Sequence, residues 1–246
     1  MELDSAGWVV AALCAVMVGV SKTGIPGFGI VFVPLMAIVM PAKQSTGAIL
    51  GMLILADIFA VGYYRRAAMW GYLIRLIPAT LVGIVAGYFV MKIISDAQLK
   101  PIIGVIVLGM LAVNWRRNRN GKGDEDVPTQ WWFAEVMGFL AGLTTMMANA
   151  AGPVMTVYLV AMDVKKEEFI GNMAWFFAVI NLFKVPFSVR LGLITPETLR
   201  FNLALFPIVL ASAVGGYFLL KVISQKFFDI SVQALAAASA VYLIAA

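Results

Sequence analysis

The sequence predicts an all-α integral membrane protein made of two inverted-topology repeats, each a short helical hairpin (broken or re-entrant) followed by three transmembrane helices. Three observations carry this expectation. Of the 246 residues, 62% are hydrophobic and 13% charged, and the mean hydropathy is +0.95. A soluble domain has roughly 45–50% apolar and about 25% charged residues, so this chain has too little polar surface to stay in water. A glycine-rich break, Gly19-Val20-Ser21-Lys22-Thr23-Gly24-Ile25-Pro26-Gly27-Phe28-Gly29, returns in altered form as Gly142-Leu143-Thr144-Thr145-Met146-Met147-Ala148-Asn149-Ala150-Ala151-Gly152. The outer glycines are ten positions apart in both copies. Late in each half, Gly87-Tyr88-Phe89-Val90-Met91-Lys92-Ile93-Ile94-Ser95 matches Gly216-Tyr217-Phe218-Leu219-Leu220-Lys221-Val222-Ile223-Ser224, and Pro78 and Pro207 keep the same offset. Agreement over so many positions marks an internal duplication.

Each element follows from length and hydropathy. Residues 7–20 form an apolar run, and residues 30–40 follow the first break and end at Pro41. At the helical rise these arms measure about 21 Å and about 16 Å. A hydrocarbon core about 30 Å thick takes about 20 residues to cross. A hairpin entering and leaving by one side therefore fits, with two tight full spans as the alternative. Residues 45–64 are long enough to span and end in Tyr63-Tyr64-Arg65-Arg66, an interfacial aromatic pair followed by cations. Residues 71–94 span again, and residues 101–115 make a shorter third crossing. Arg116 to Gln130 is charged, holds Gly and Pro and lacks an apolar period, so it reads as a linker. Its Asp124, Glu125 and Asp126 read as a solvated loop rather than a cation site. The pattern then repeats: residues 131–143 and 153–162 flank the second break, and 168–187, 198–223 and 230–246 are the next spans. The expected organisation is a first membrane repeat over 1–116, a cytoplasmic linker over 117–130 and a second repeat over 131–246.

Charge sets the orientation. Arg65, Arg66, the Arg116–Lys122 cluster, Lys165, Lys166 and Lys226 all fall in short loops, which the positive-inside rule makes cytoplasmic. An odd number of crossings per half then gives the halves opposite topology, a plan shared by secondary transporters whose substrate sits near the midplane between discontinuous helices. The same placement explains the net charge of +5 without nucleic acid. Histidine is absent and Cys14 is the one cysteine, so intrachain disulfides are impossible and the usual zinc, haem and copper sites lack ligands. No cofactor is expected. The acidic start Met1-Glu2-Leu3-Asp4 is unlike the basic start of a secretory signal.

The breaks hold the candidate chemistry. Lys22 lies between Ser21 and Thr23 and just before Gly24, Gly27 and Gly29. Glycines let a backbone unwind and approach a ligand closely. Pro26 suits the first turn of a following helix, whose free N–H groups and dipole would favour an anion. The bland alternative is a lysine that snorkels beside a tight turn. The second break carries no cation of its own; Thr144, Thr145 and Asn149 offer neutral hydrogen-bond groups, or else cap and pack a helix. Asp57 sits mid-span, where ionisable groups are expensive and mark function. It carries a coupling proton, pairs with a lysine, or makes a structural hydrogen bond. Asn172, Asn181 and Lys184 lie on the corresponding span of the second half; Asn181 and Lys184 share a face, and Lys184 either lines a pathway or snorkels.

With these residues in view, the chain resembles the TauE/SafE, or sulfite exporter, family of membrane proteins. The likeness covers nearly the whole length. It rests on SKTGIPGFG followed by VFVPL, on TTMMANAAGP followed by VMTVYL, and on the paired GYF-x-x-K-x-I-S segments. The resemblance implies a duplicated membrane fold and transport of sulfite, organosulfonates or related small anions, usually outward. The family motif maps onto Ser21–Gly29 and Thr144–Gly152, which adds Phe28 and Gly152 to the implied substrate contacts. Many members carry a fuller glycine cluster; here Pro26 and Phe28 interleave with the glycines, and the second copy is glycine-poor.

The expected function is a secondary transporter of a small anion in a bacterial inner membrane, with a passive anion channel as the alternative. A membrane enzyme lacks histidine, a nucleophile with its base and a carboxylate cluster, and no GxxxxGK[ST] motif for ATP is present. The expected partners are the anion and membrane lipid, with no nucleic acid; small lipid-facing residues permit a homodimer without requiring one.

Overall fold

The computed structural model describes residues 3–23, 29–119, 131–162 and 164–219, and of the last stretch residues 234, 237, 238, 240–242, 244 and 245. Among the described residues all regular structure is helical. The elements are α1 (Ser5–Thr23), α2 (Gly29–Val39), α3 (Ala42–Tyr64), α4 (Trp70–Ile93), α5 (Asp96–Arg119), α6 (Trp131–Ala148), α7 (Gly152–Ala161), α8 (Lys166–Arg190) and α9 (Pro196–Leu219). Five of them, α1, α3, α4, α8 and α9, are long and apolar enough to cross a membrane. The chain is a multi-pass membrane protein. The linker residues 120–130 and most of the span expected over 220–246 lie outside the described residues. Where 234–245 is described it is helical, and a Cβ on Gly104 of α5 would meet the Ala240 carbonyl.

Local chemistry starts the helices where they start. Before α5, Ser95 and Gln98 cap each other, the Ser95 N–H donating to Gln98 Oε1 at 2.9 Å and the Gln98 N–H to Ser95 Oγ at 3.3 Å. Before α9, Thr195 and Thr198 do the same, and Pro196 takes the first helical position, where its missing N–H costs nothing. The Asp96 carboxylate accepts from the Lys43 N–H at 2.7 Å and so satisfies a free amide at the start of α3.

The breaks are narrower than the sequence predicts. α1 continues through Ser21, Lys22 and Thr23, and α6 continues through Thr144 and Thr145 to Ala148. The reason is local: the Ser21 hydroxyl donates to the Val18 carbonyl at 2.8 Å and the Thr144 hydroxyl to the Leu140 carbonyl at 2.7 Å, so both side chains bond to their own helix. The second break reduces to residues 149–151, and Asn149, at φ 48°, takes the left-handed conformation that ends α6. The first lies between Thr23 and Gly29, where residues 24–28 are outside the described set. Each break thus joins a long arm to a short one: α1 has 19 residues against 11 in α2, and α6 has 18 against 10 in α7.

Two apolar cores result. One gathers α1, α2, α3, α5 and α9 with Met91 of α4 and Met147 and Ala148 of α6; the other gathers α4, α6, α7 and α8. The most extensive pairings are α4 with α6 and α1 with α9. Small residues make them possible. On α4, Gly83 and Gly87 lie against Phe139, Leu143 and Met146; on α6, Gly138 and Gly142 lie against the carbonyls of Leu76 and Thr80. These are facing small-xxx-small seams. Gly19 of α1 meets Ser212 and Val209 of α9 in the same manner. α3 packs across both α8 and α9 and is the most enclosed of the five candidate spans.

The seam predicts a contrast between glycines. Gly142→Ala should lower the unfolding midpoint in detergent, costing about 1–3 kcal/mol through overpacking against the Thr80 backbone. Gly62→Ala in α3 meets nothing within 4 Å and should be neutral or stabilising by up to about 1 kcal/mol. Equal midpoints for the two variants would contradict the seam.

Candidate functional site

One connected set of buried polar groups crosses the contact between the two cores. It begins at Lys22, on the last turn of α1. Its Nζ lies 2.6 Å from Asp57 Oδ1 of α3, with side chains 8% and 3% exposed. The Phe177 ring of α8 covers the ammonium at 3.9 Å to its centroid, close enough for a cation–π attraction. Among the described residues, neither Lys22 Nζ nor Asp57 Oδ1 has a hydrogen-bond partner of good geometry beyond this charge contact.

Asn181 of α8 carries the chain onward. Its Nδ2 donates to Asp57 Oδ2 at 2.7 Å, and its Oδ1 accepts from Lys184 Nζ at 3.3 Å. The amide thus faces its donor to the carboxylate and its acceptor to the ammonium, the one orientation that suits both neighbours. Lys184, one turn further along α8 and 2% exposed, also donates to the Thr145 carbonyl at 3.0 Å, to Thr145 Oγ1 at 3.1 Å and to Asn149 Oδ1 at 2.6 Å. Asn149 closes the chain by donating Nδ2 to the Thr46 carbonyl at 3.0 Å. From Thr46 to Asp57 is eleven residues of α3, about 16 Å at the helical rise. The polar set therefore runs along about half the thickness of a hydrocarbon core.

The two lysines are used differently. Lys184 Nζ has four acceptors around it and three N–H bonds, so its donors are filled. It fastens the second break to α8 and fixes Asn149 in its left-handed turn. Among the described residues, Lys22 meets one carboxylate oxygen and one ring face, fewer acceptors than its three N–H bonds can fill. The cation missing from the second break in sequence is therefore supplied from α8. Of the three roles open for Asp57, the geometry is that of a lysine partner which also accepts a hydrogen bond.

The structure brings together Lys22, Asp57, Thr145, Asn149, Asn181 and Lys184 and leaves other candidates aside. The hydroxyls of Ser21 and Thr144 bond within their own helices. Asn172 lies nine residues before Asn181 on α8; its Oδ1 accepts from the Met69 N–H at 2.9 Å and steadies the α3–α4 connection. Gly29 opens α2 and Gly152 opens α7, with open space where a Gly152 Cβ would sit. Thr23 ends α1; Gly24, Gly27 and Phe28 lie outside the described residues. Sequence reasoning missed Phe177 and Thr46. Phe177 had a signal, since it shares a helix face with Asn181 and Lys184 at spacings of four and seven. Thr46 had none, because it contributes only a main-chain oxygen.

Burial makes the ion pair testable. Asp57→Ala leaves the Lys22 ammonium without its carboxylate and should cost about 3–5 kcal/mol of stability. The double change Lys22→Met with Asp57→Asn removes both charges and should unfold closer to wild type than Asp57→Ala does, measured by chemical denaturation in mixed micelles. A double variant that is less stable than Asp57→Ala contradicts the pairing.

Comparison with known proteins places these observations. The chain matches the family model described as sulfite exporter TauE/SafE over residues 11–243. No curated protein and no solved structure matches it. The match takes in the ends of both hairpins, the polar set between them and the long spans around it, so this chain belongs to the TauE/SafE sulfite exporter family, a family of membrane transporters rather than enzymes.

Proposed function

We propose that the protein is a secondary transporter, working as an exporter, of a small anion such as sulfite or an organosulfonate in the cell membrane of a bacterium. The observation that carries the reading is Lys22: a buried ammonium at the end of a membrane helix, with donor capacity left among the described residues. Ionisable groups are expensive in a membrane interior even when paired, so such a group marks a ligand or a pathway. A small oxyanion supplies the missing acceptors.

Two inverted repeats, residues 1–116 and 131–246, give the alternating-access scheme. The exchange of helices between cores supports this division. α1 packs on α9 and α6 on α4, so the first helix of each half lies on a late helix of the other. The short arms α2 and α7 begin where the breaks end, which suits half-inserted hairpins whose tips meet near the midplane. Transport then moves one set of helices against the other. Lys22 meets the anion, while Lys184, Thr145 and Asn149 hold the opposite lip in shape.

A passive anion channel is the second reading, since a buried lysine between broken helices serves a pore as well. Reconstituted vesicles separate the two. The transporter reading expects saturable sulfite or sulfonate flux at low turnover and no single-channel conductance; ohmic conductance would establish the channel instead. Lys22→Met with Asp57→Asn should remain folded and lose flux by at least about tenfold, as expected when one charge-assisted contact of about 1.5–3 kcal/mol is removed. Undiminished flux in that variant would refute the role of Lys22.

A further inference from the structure

We propose that Asp57 sets the valence of the anion: by cancelling one of two buried lysine charges it leaves the site with a single net positive charge, which a monoanion neutralises and a dianion overfills. This rests on the anion-transport reading and names the substrate class for that same site.

The count comes from the described residues. Lys22, Asp57 and Lys184 are the charged side chains of the buried set, joined through Asn181. The other charges on the helices around them lie toward helix ends. α2 carries none. Asp96 and Lys100 of α5 lie in its first turns, as do Glu197 and Arg200 of α9. The contacts suit one carboxylate and two ammonium groups. Lys22 faces a carboxylate oxygen at 2.6 Å, and Lys184 is ringed by acceptors alone, an arrangement an ammonium satisfies. Two ammonium groups and one carboxylate leave one positive charge.

A surplus charge in a medium of low dielectric constant is costly until it is balanced. The roles divide accordingly. Lys22, which meets one carboxylate oxygen among the described residues, offers the ligand its remaining donors. Lys184, its donors filled, adds only its field. Asp57 subtracts one charge. An arriving R–SO3− or a singly protonated oxyanion closes the balance at zero, whereas a doubly charged oxyanion carries it to minus one. Unit charges about 5 Å apart at an effective dielectric constant near 20 change an affinity by roughly a hundredfold, so valence outweighs small differences of shape.

The test compares two tetrahedral ions of similar size, methanesulfonate and sulfate, binding to the purified full-length protein in detergent, by titration calorimetry and thermal shift. Wild type should bind methanesulfonate at least about tenfold more tightly than sulfate. Asp57→Asn raises the net charge to two and should move the preference toward sulfate by about a hundredfold. Asn181→Asp lowers it to zero and should weaken methanesulfonate by at least about tenfold. A wild type that binds sulfate as tightly as methanesulfonate, or folded variants that keep the wild-type preference, would overturn the valence assignment while the anion site stands. Failure of both ions to bind wild type would overturn the anion site and the assignment with it. Should neither variant fold, the wild-type preference decides alone.

Discussion

An ion pair inside a membrane must satisfy itself, and the contact between Lys22 and Asp57 is the constraint around which the other helices are placed. Taking both charges out of water costs several kcal/mol per ion even after relaxation, and the mutual attraction offsets this only when further partners complete the shell. Here the partners come from α8: Asn181 bonds the carboxylate, Phe177 covers the ammonium, and Lys184 places a second positive charge within reach of the same carboxylate. The last turn of α1 is therefore held against the middle of α3, and α3 against α8. A chain that lost this pairing would carry an orphan charge rather than a merely weaker contact.

Packing and polarity cooperate in this arrangement. Glycine seams let α4 approach α6, and α1 approach α9, closely enough for their backbones to touch. Those seams pin the long arms of both hairpins, and with them the residues at the arm ends. Lys22 sits at the end of one pinned arm; Thr145 and Asn149 sit at the end of the other. The central helices α3 and α8 lie between, and the polar set bridges them. The same closeness that stabilises the bundle thus fixes the geometry of the site.

Much of this architecture is legible in the residues. Spans such as 45–64 and 71–94 follow from length, hydropathy and aromatic-then-basic endings, and the family from the paired breaks. The extent of each break is not legible, because glycine content argues for unwinding while Ser21 and Thr144 hold the helix by bonding back to it. Asp57, Asn181 and Lys184 stand out individually as polar groups in apolar helices. Their joining does not, since Asp57 and Asn181 lie 124 residues apart and Lys184 reaches Thr145 across 39. Nor does sequence separate Lys22, with donors to spare among the described residues, from Lys184, whose donors are spent. That difference depends on which acceptors the fold brings near each nitrogen.

The central claim is that Lys22 is a desolvated seat for a negative charge. An anomalous-scattering map of crystals grown with bromomethanesulfonate, a singly charged sulfonate carrying a bromine label, tests it most directly. The account predicts the sulfonate oxygens within hydrogen-bond distance of Lys22 Nζ, between the end of α1 and α8. A sulfonate bound elsewhere, or Lys22 turned out to bulk solvent and away from Asp57, would contradict it.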